Sequence, residues 1–350
     1  MIKVVQWATG SMGRTALRRI IDHPDLELAG LYVHDTGKVG RDAGEIARRP
    51  STGILATGDI DAILALDADV VVHTARISLP YAAQNGHVER LLASGKNVVS
   101  TAGFHYPPAH PGPYAEGLLA ACRQGGSTLA GMGLNPGFIG ERLVPLLSGL
   151  CARLEAIDSR EMAEVSTMPA REFVFDTMGF GSDPAARDIT RSPLADLYGE
   201  LYRETFAFVA AALGTAVASL EPAHRLTLAP EDIHIAAGTI PLGCVAATEW
   251  CWHARFADGR QMSHSVLWTA DARLHEFADG VHPAHWQVEL RGRPNVKLTL
   301  ALSDPDPDAP PTRAASDATV AIAIRSIPDV CAAPPGFFSY PGLAPFRERF

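Results

Sequence analysis

Gly10 and Gly13 lie three residues apart, directly after the apolar run Val4-Val5-Gln6-Trp7 and directly before a stretch of helical period. Gly10 permits a sharp turn and Gly13 lets helix and strand approach closely. The first helical turn, Ser11, Met12, Gly13 and Arg14, then offers unpaired N–H groups to a diphosphate. Ala8 stands where the longer glycine fingerprint has its first glycine, so the turn alone also fits a plain strand-to-helix connection. The strand and helix alternation after residue 14 favours the diphosphate.

The first hundred residues alternate short apolar runs with helix-period segments, the pattern of a parallel sheet with crossover helices. Strands are expected at Lys3 to Trp7, Leu26 to Val33, Asp69 to Thr74, Asn97 to Thr101 and Thr128 to Gly131. The helix after the glycine turn stops at Asp22-His23-Pro24. Another opens near Ser78 with Pro80 in its first turn and closes at Ser94-Gly95-Lys96, and a third runs from about Tyr114 to Arg123. The Gly/Pro cluster from Gly131 to Gly137 reads as the way out of this domain.

The pattern then changes. A helix is expected around Ile139 to Leu150, and a long one from Leu194 to Leu213 with apolar residues near helical spacing. Thr248 to Phe256, Met262 to Ala270, His285 to Leu290 and Val296 to Leu302 read as longer strands joined by turns such as Ala257-Asp258-Gly259-Arg260. The expected fold class is α/β: an N-terminal Rossmann-type, doubly wound parallel sheet, plus a second α+β domain with a largely antiparallel sheet. A chain of 350 residues suits two domains. Residues 1–135 form the dinucleotide-binding domain, 136–315 the substrate domain, and 316–350 return to the first domain; Asp304 to Thr312 is a solvated loop.

Composition narrows the function classes. A hydrophobic fraction of 47% with 20% charged residues is that of a globular enzyme. No apolar stretch approaches the roughly 20 residues of a bilayer span, and no basic segment precedes a hydrophobic one at the N-terminus, so the expectation is a cytoplasmic protein without a membrane partner. The net charge of -9, with Lys and Arg scattered singly, argues against nucleic acid as partner and leaves a small-molecule substrate. Cys122, Cys151, Cys244, Cys251 and Cys331 lack metal-ligand spacing and read as reduced core residues.

In open parallel sheets, ligands sit beyond the carboxyl ends of the strands. After the second strand the chain reads His34-Asp35-Thr36-Gly37-Lys38. If the strand ends at Val33 or His34, no carboxylate faces the ribose 2'-hydroxyl, and His34, Thr36, Lys38 and Arg14 can cradle a phosphate. The cofactor expectation is therefore NADP(H), with NAD(H) the alternative should Asp35 take the discriminating position. Thr74, Ala75, Thr101, Ala102 and Gly103, small residues at later strand ends, leave room for a flat ring, and Asn135 can bond a carboxamide.

Three side chains are candidates for proton exchange as hydride arrives: His105, Tyr106 and, secondarily, Glu141. His105 and Tyr106 equally fit a role bracing the loop before Pro107-Pro108, and a carboxylate at Glu141 suits a helix N-terminus on dipole grounds alone. His73 ends an apolar strand and suits a structural hydrogen bond, and Arg76 suits a solvated surface. The pairs His253/His264 and His282/His285 lack a carboxylate-histidine signature, and no metal is expected.

At Ala8-Thr9-Gly10-Ser11-Met12-Gly13-Arg14, Val39-Gly40-Arg41-Asp42-Ala43-Gly44-Glu45 and Gly133-Leu134-Asn135-Pro136-Gly137-Phe138, the chain resembles the dihydrodipicolinate reductase-like superfamily. Within it, the likeness is to the branch holding diaminopentanoate dehydrogenase and the native amine dehydrogenases. It covers the first 150 residues and returns at Pro328 to Gly336. The resemblance implies NAD(P)H-dependent chemistry at a carbon–nitrogen bond, and a homodimer formed through the second domain. Amine-forming members tend to carry a sequence similar to Ser-Thr-x-Glu-Glu after the fifth strand, where this chain has Ser100-Thr101-Ala102-Gly103-Phe104. That departure opens two alternatives: an alcohol/ketone oxidoreductase, or a dinucleotide-binding protein without catalysis.

Overall fold

The computed structural model describes residues 1–110, 112–275, 284–309 and 312–348. They fall into two compact units, Met1–Phe138 with Ala315–Gly342, and Ile139–Ala314 with Leu343–Phe350.

The first unit alternates strands and helices: β1 (Ile2–Trp7), α1 (Ser11–Ile21), β2 (Leu26–Tyr32), α2 (Ala43–Ala47), β3 (Ala56–Thr57), α3 (Ile60–Leu64), β4 (Val70–His73), α4 (Asn85–Ala93), β5 (Asn97–Ser100), α5 (Pro113–Gly125) and β6 (Thr128–Gly131). The second unit continues with α6 (Val144–Ser148), β7 (Arg153–Glu164), α7 (Pro193–Ala212), β8 (Val217–Leu228), a small hairpin of β9 (Ile233–Ile235) and β10 (Gly238–Ile240), then β11 (Val245–Phe256), β12 (Gln261–Thr269), β13 (Ala284–Arg293) and β14 (Val296–Ala301). The chain closes with α8 (Arg313–Arg325), α9 (Ile327–Ala332) and β15 (Gly336–Phe337).

The first sheet has seven strands, ordered β15-β6-β5-β4-β1-β2-β3, with every pair parallel. Its central strands are buried on both faces, which explains their near-continuous apolar sequence. Val71, Val98 and Leu129 face one core with Val88, Leu91 and Leu118. Val70, Val72, Val99 and Ala130 face another with Ala16, Ile20, Val320 and Ile324.

The second sheet, β14-β13-β7-β12-β11-β8, is antiparallel apart from the parallel β7/β12 pair. The α/β plus α+β architecture expected from the sequence is therefore present.

Several local expectations need correction. β2 ends at Tyr32, before His34. The helix expected near Ser78 begins later, because proline disfavours helical geometry in the residue before it; Pro80 instead caps a 3-10 turn, Tyr81–Gln84, that leads into α4. The helix expected around Ile139 to Leu150 is a π-helical stretch within Leu134–Leu143, interrupted by the extended Asn135, followed by the short α6. β7 and β8 have no expected counterpart: β7 carries six charged residues in twelve, and β8 is an edge strand that exposes small and polar residues and carries Pro222, which an edge strand tolerates.

Candidate functional site

The parallel sheet of the first unit brings five chain segments to the carboxyl ends of neighbouring strands: Gly10 to Arg14 after β1, His34 to Lys38 after β2, Thr74 and Ala75 after β4, Thr101 to Tyr106 after β5, and Asn135 after β6.

The turn after β1 is built from below. Gln6 is fully buried, and its Nε2 donates to the carbonyls of Trp7 (3.1 Å) and Ala8 (2.9 Å) and to Thr74 Oγ1 (2.8 Å). Thr74 Oγ1 donates in turn to the Trp7 carbonyl at 2.9 Å. The opposite amide orientation would set Gln6 Oε1 against two carbonyl oxygens, so the pattern fixes it. These bonds clamp Ala8 at φ 73°, the left-handed conformation for which the usual fingerprint carries glycine.

Gly13 is demanded by the same packing. A Cβ there would lie 2.3 Å from the Ala8 oxygen and 2.8 Å from Thr74 Oγ1. Gly10 differs: nothing lies within 4 Å of its Cβ position. It is the N-cap of α1, and no side chain caps the helix. Open space above the uncapped N-terminus of an 11-residue helix fits the diphosphate of a dinucleotide.

Beyond β2, Asp35 turns back on its own loop. Its carboxylate accepts from the Gly37 N–H at 3.0 Å and lies 3.7 Å from Lys38 Nζ. Lys38 Nζ also reaches Thr9 Oγ1 at 3.3 Å and the Thr9 carbonyl at 3.4 Å, which places a cation against the glycine turn. Arg14, His34 and Thr36 are exposed. The His34 ring packs edge-on against Tyr32, and desolvation by the atoms packed around it, with the His87 charge second, holds its pKa below the usual value although the residue keeps an exposed edge. Lys38 and Arg14 therefore supply the positive charge here. Behind them Trp7 and Tyr32 stack at 3.7 Å.

One carboxylate carries no signal of its role in the sequence. Asp42 accepts from the N–H groups of Gly44, Thr52 and Gly53 and from the Ser51 hydroxyl, closing residues 42–53 into a clip. These donors, the Thr52 amide foremost, hold its pKa down to about 2.

His73, at the end of β4, is fully buried and makes a structural hydrogen bond: Nδ1 meets Ser100 Oγ at 3.0 Å. Ser100 Oγ also accepts from the Ala102 N–H at 3.0 Å, which ties the end of β4 to the loop after β5. Burial, aided by His34 and His87, pushes the pKa down to about 3, so His73 is neutral throughout the physiological range.

The loop after β5 is tightly wound. Gly103 and Phe104 both have positive φ, 93° and 64°. The Cβ side of Gly103, expected to leave room for a ring, is filled by Tyr81, whose hydroxyl oxygen lies 2.6 Å from that Cβ position. His105 is buried against the turn after β6: a Cβ on Gly137 would lie 3.3 Å from its Cε1, and its backbone closes on Gly131. Tyr106 is half-buried and precedes the 3-10 turn Pro107–Ala109. Asn135 is extended and half-buried at the end of the first unit. Glu141 is buried and belongs to the second unit, so the strand-end geometry does not place it.

His264 is buried on β12, with Nδ1 2.6 Å from Ser159 Oγ. His253 is exposed and pairs with Ser263, the residue before His264, so the two imidazoles point to opposite faces of the sheet. His282 lies outside the described residues. Among the described residues no group of three or more His, Cys, Asp or Glu side chains is placed to hold a metal ion, all five cysteines are free, and no helix is long and apolar enough to cross a membrane.

Residues 3–107 match the family of the dihydrodipicolinate reductase N-terminus. Over 184 residues the chain is 35% identical to an amine dehydrogenase of Streptomyces virginiae, covering 52% of this chain and 51% of that protein; the chain thus matches about half the length of its curated relative. Among solved structures, the amine dehydrogenase from Mycobacterium smegmatis superposes with a TM-score of 0.71 at 19% identity, covering 100% of this chain and 97% of the other. GenD2 from gentamicin A biosynthesis, in complex with NAD, gives 0.55 at 17% identity, with coverages of 94% and 86%. Apo scyllo-inositol dehydrogenase from Lactobacillus casei gives 0.58 at 12%, with coverages of 98% and 92%. At these identities the structural likenesses establish the fold. The resemblance to the dihydrodipicolinate reductase-like superfamily and its amine dehydrogenase branch agrees with the family and sequence matches.

Proposed function

We propose, from an N-terminal segment that matches the dihydrodipicolinate reductase N-terminus, that this chain is an NAD(P)-dependent oxidoreductase moving hydride between a nicotinamide and a small C=N or C=O substrate. The observation that carries the reading is the pair of glycines: Gly13 is packed to exclusion against Ala8 and Thr74, while Gly10 opens on space above an uncapped helix.

In this reading Gly10, Ser11, Met12, Gly13 and Arg14 grip the diphosphate through backbone N–H groups. His34, Thr36 and Lys38 meet the ribose end. Thr74, Ala75, Thr101, Ala102, Gly103 and Asn135 hold the nicotinamide. NADP(H) is favoured, because Lys38 stands against Thr9 and Asp35 is engaged by its own turn. The candidates for proton transfer are His105, Tyr106 and Glu141. The protein acts in the cytoplasm as a homodimer, with residues 136–315 supplying the substrate and dimer contacts.

The resemblance to an amine dehydrogenase supports carbon–nitrogen chemistry. Gly103 and Phe104, standing where amine-forming members tend to carry carboxylates, favour the alcohol/ketone alternative. Screening amines and alcohols with NAD(P)+ at alkaline pH, and imines and ketones with NAD(P)H, separates the two. Turnover of either class supports an enzyme; tight NADPH binding with no turnover in either direction supports a non-catalytic binder. Loss of turnover in His105→Ala or Tyr106→Phe would assign the donor role, and retention in both would remove it from these residues.

A further inference from the structure

His105 packs its ring against Gly137 and its backbone against Gly131. The polar group that the fold brings to Gly103 comes from a different segment, the 3-10 turn before α4. There Tyr81 sets its hydroxyl 2.6 Å, and its Cζ 3.2 Å, from the Cβ position of Gly103. Any side chain at residue 103 would collide with it.

The phenol is held on several sides. Its ring packs on His110 at 4.9 Å and on Tyr114 at 6.0 Å, His110 and Tyr114 lie 4.5 Å apart, and Tyr114 stacks on Phe104 at 6.4 Å. These rings bridge the loops after β4 and β5. The residues they flank, Gly103 and Phe104, carry consecutive positive φ angles, and for Phe104 that conformation costs of order 1–3 kcal/mol, the kind of strain that gathers at functional sites.

We propose that Tyr81 is a catalytic residue that donates the proton accompanying hydride transfer, and that His110 and Tyr114 position it. This rests on the proposed coenzyme binding. Hydride leaves C4 of the dihydronicotinamide with its electron pair and bonds to the substrate carbon. The π pair of the C=O or C=N bond moves to oxygen or nitrogen, which takes the Tyr81 phenolic proton as the O–H bond breaks. The phenolate then regains a proton from solvent. A neutral phenol at this place suits a ketone, an aldehyde or a neutral imine better than an iminium, which needs a carboxylate beside it.

The test is Tyr81→Phe, which keeps the ring stack and removes one oxygen. Coenzyme affinity is read from NADPH emission, and turnover is measured with the best substrate of the amine, alcohol, imine and ketone screen. The expected result is an NADPH Kd within about threefold of wild type, since hydride-side chemistry and diphosphate binding are separate, an unchanged melting temperature and KM, and a kcat lower by about 10²–10⁴-fold. A kcat within threefold of wild type overturns the proposal, as does a parallel loss of coenzyme affinity and kcat. A wild type that binds NADPH yet reduces nothing in the panel overturns the donor role and leaves the coenzyme reading standing; a wild type that binds neither coenzyme overturns that reading itself. Gly103→Ala provides a second readout. Its loss of thermal stability is expected to be smaller in the Tyr81→Phe background, and an equal loss in both backgrounds contradicts the contact.

Discussion

Gln6 Nε2 and Thr74 Oγ1, at the ends of adjacent parallel strands, are joined by a buried hydrogen bond of 2.8 Å that holds the turn between β1 and α1 in shape. Replacing Gln6 by Leu removes the buried Nε2 donor and takes its hydrogen bond from the Ala8 carbonyl, while the Trp7 carbonyl still accepts from Thr74. The expected cost is about 2–4 kcal/mol, with weakened coenzyme binding. Urea denaturation of the variant checks the first and NADPH titration the second; a loss below about 0.5 kcal/mol would mean that the clamp is dispensable.

The two glycines of the turn behave differently on substitution. Gly13→Ala drives a methyl into the Ala8 carbonyl, a backbone atom that cannot swing away, and loses about 2–4 kcal/mol. Gly10 has φ -66° and open space around its Cβ, so Gly10→Ala leaves the melting temperature within a degree or two. Comparing thermal melts of the two variants checks the contrast.

Lys38 is the cation nearest the glycine turn on the ribose side. Lys38→Ala is expected to weaken NADPH about tenfold, the worth of one charge-assisted hydrogen bond, and NADH less than twofold. Equal losses for both coenzymes would place Lys38 away from the 2'-phosphate.

Acid lability has two windows. His73 and His264 have folded pKa values of about 3, below the ordinary 6.5 of the unfolded chain. The unfolded state therefore binds more protons between pH 6.5 and 3, and stability falls as pH drops through that range. Asp42, at about 2 in the folded chain against 3.8, contributes stability that is present above pH 4 and lost towards pH 2. Melting temperature against pH should flatten in the upper window for His73→Gln and in the lower one for Asp42→Asn. Superimposable curves for wild type and both variants would contradict the assignment.

How far each element is legible in the sequence depends on where it is buried. β1, β4 and β5 are covered on both faces, so Val4-Val5 and Val70-Val71-Val72 announce themselves as apolar runs. β7 mixes a charge into every repeat of the pleat, and the edge strand β8 is interrupted by Pro222 and exposes small and polar residues, so both pass for loops. The glycine turn is readable because it is local. The roles of Gln6, Tyr81 and Asp42 are not, because each is defined by a partner distant in sequence or by a loop that closes around it: Gln6 meets Thr74 across 68 residues, and Tyr81 meets Gly103 only once β4 and β5 lie side by side.

Calorimetric titration of the wild type and Gly10→Ala with NADPH tests the diphosphate grip most directly. One saturable site per wild-type chain is predicted, with affinity at least about tenfold weaker in the alanine variant, because its methyl stands in the open space above the α1 N-terminus where the diphosphate would lie. No saturable heat in the wild type, or the same affinity in both proteins, would contradict it.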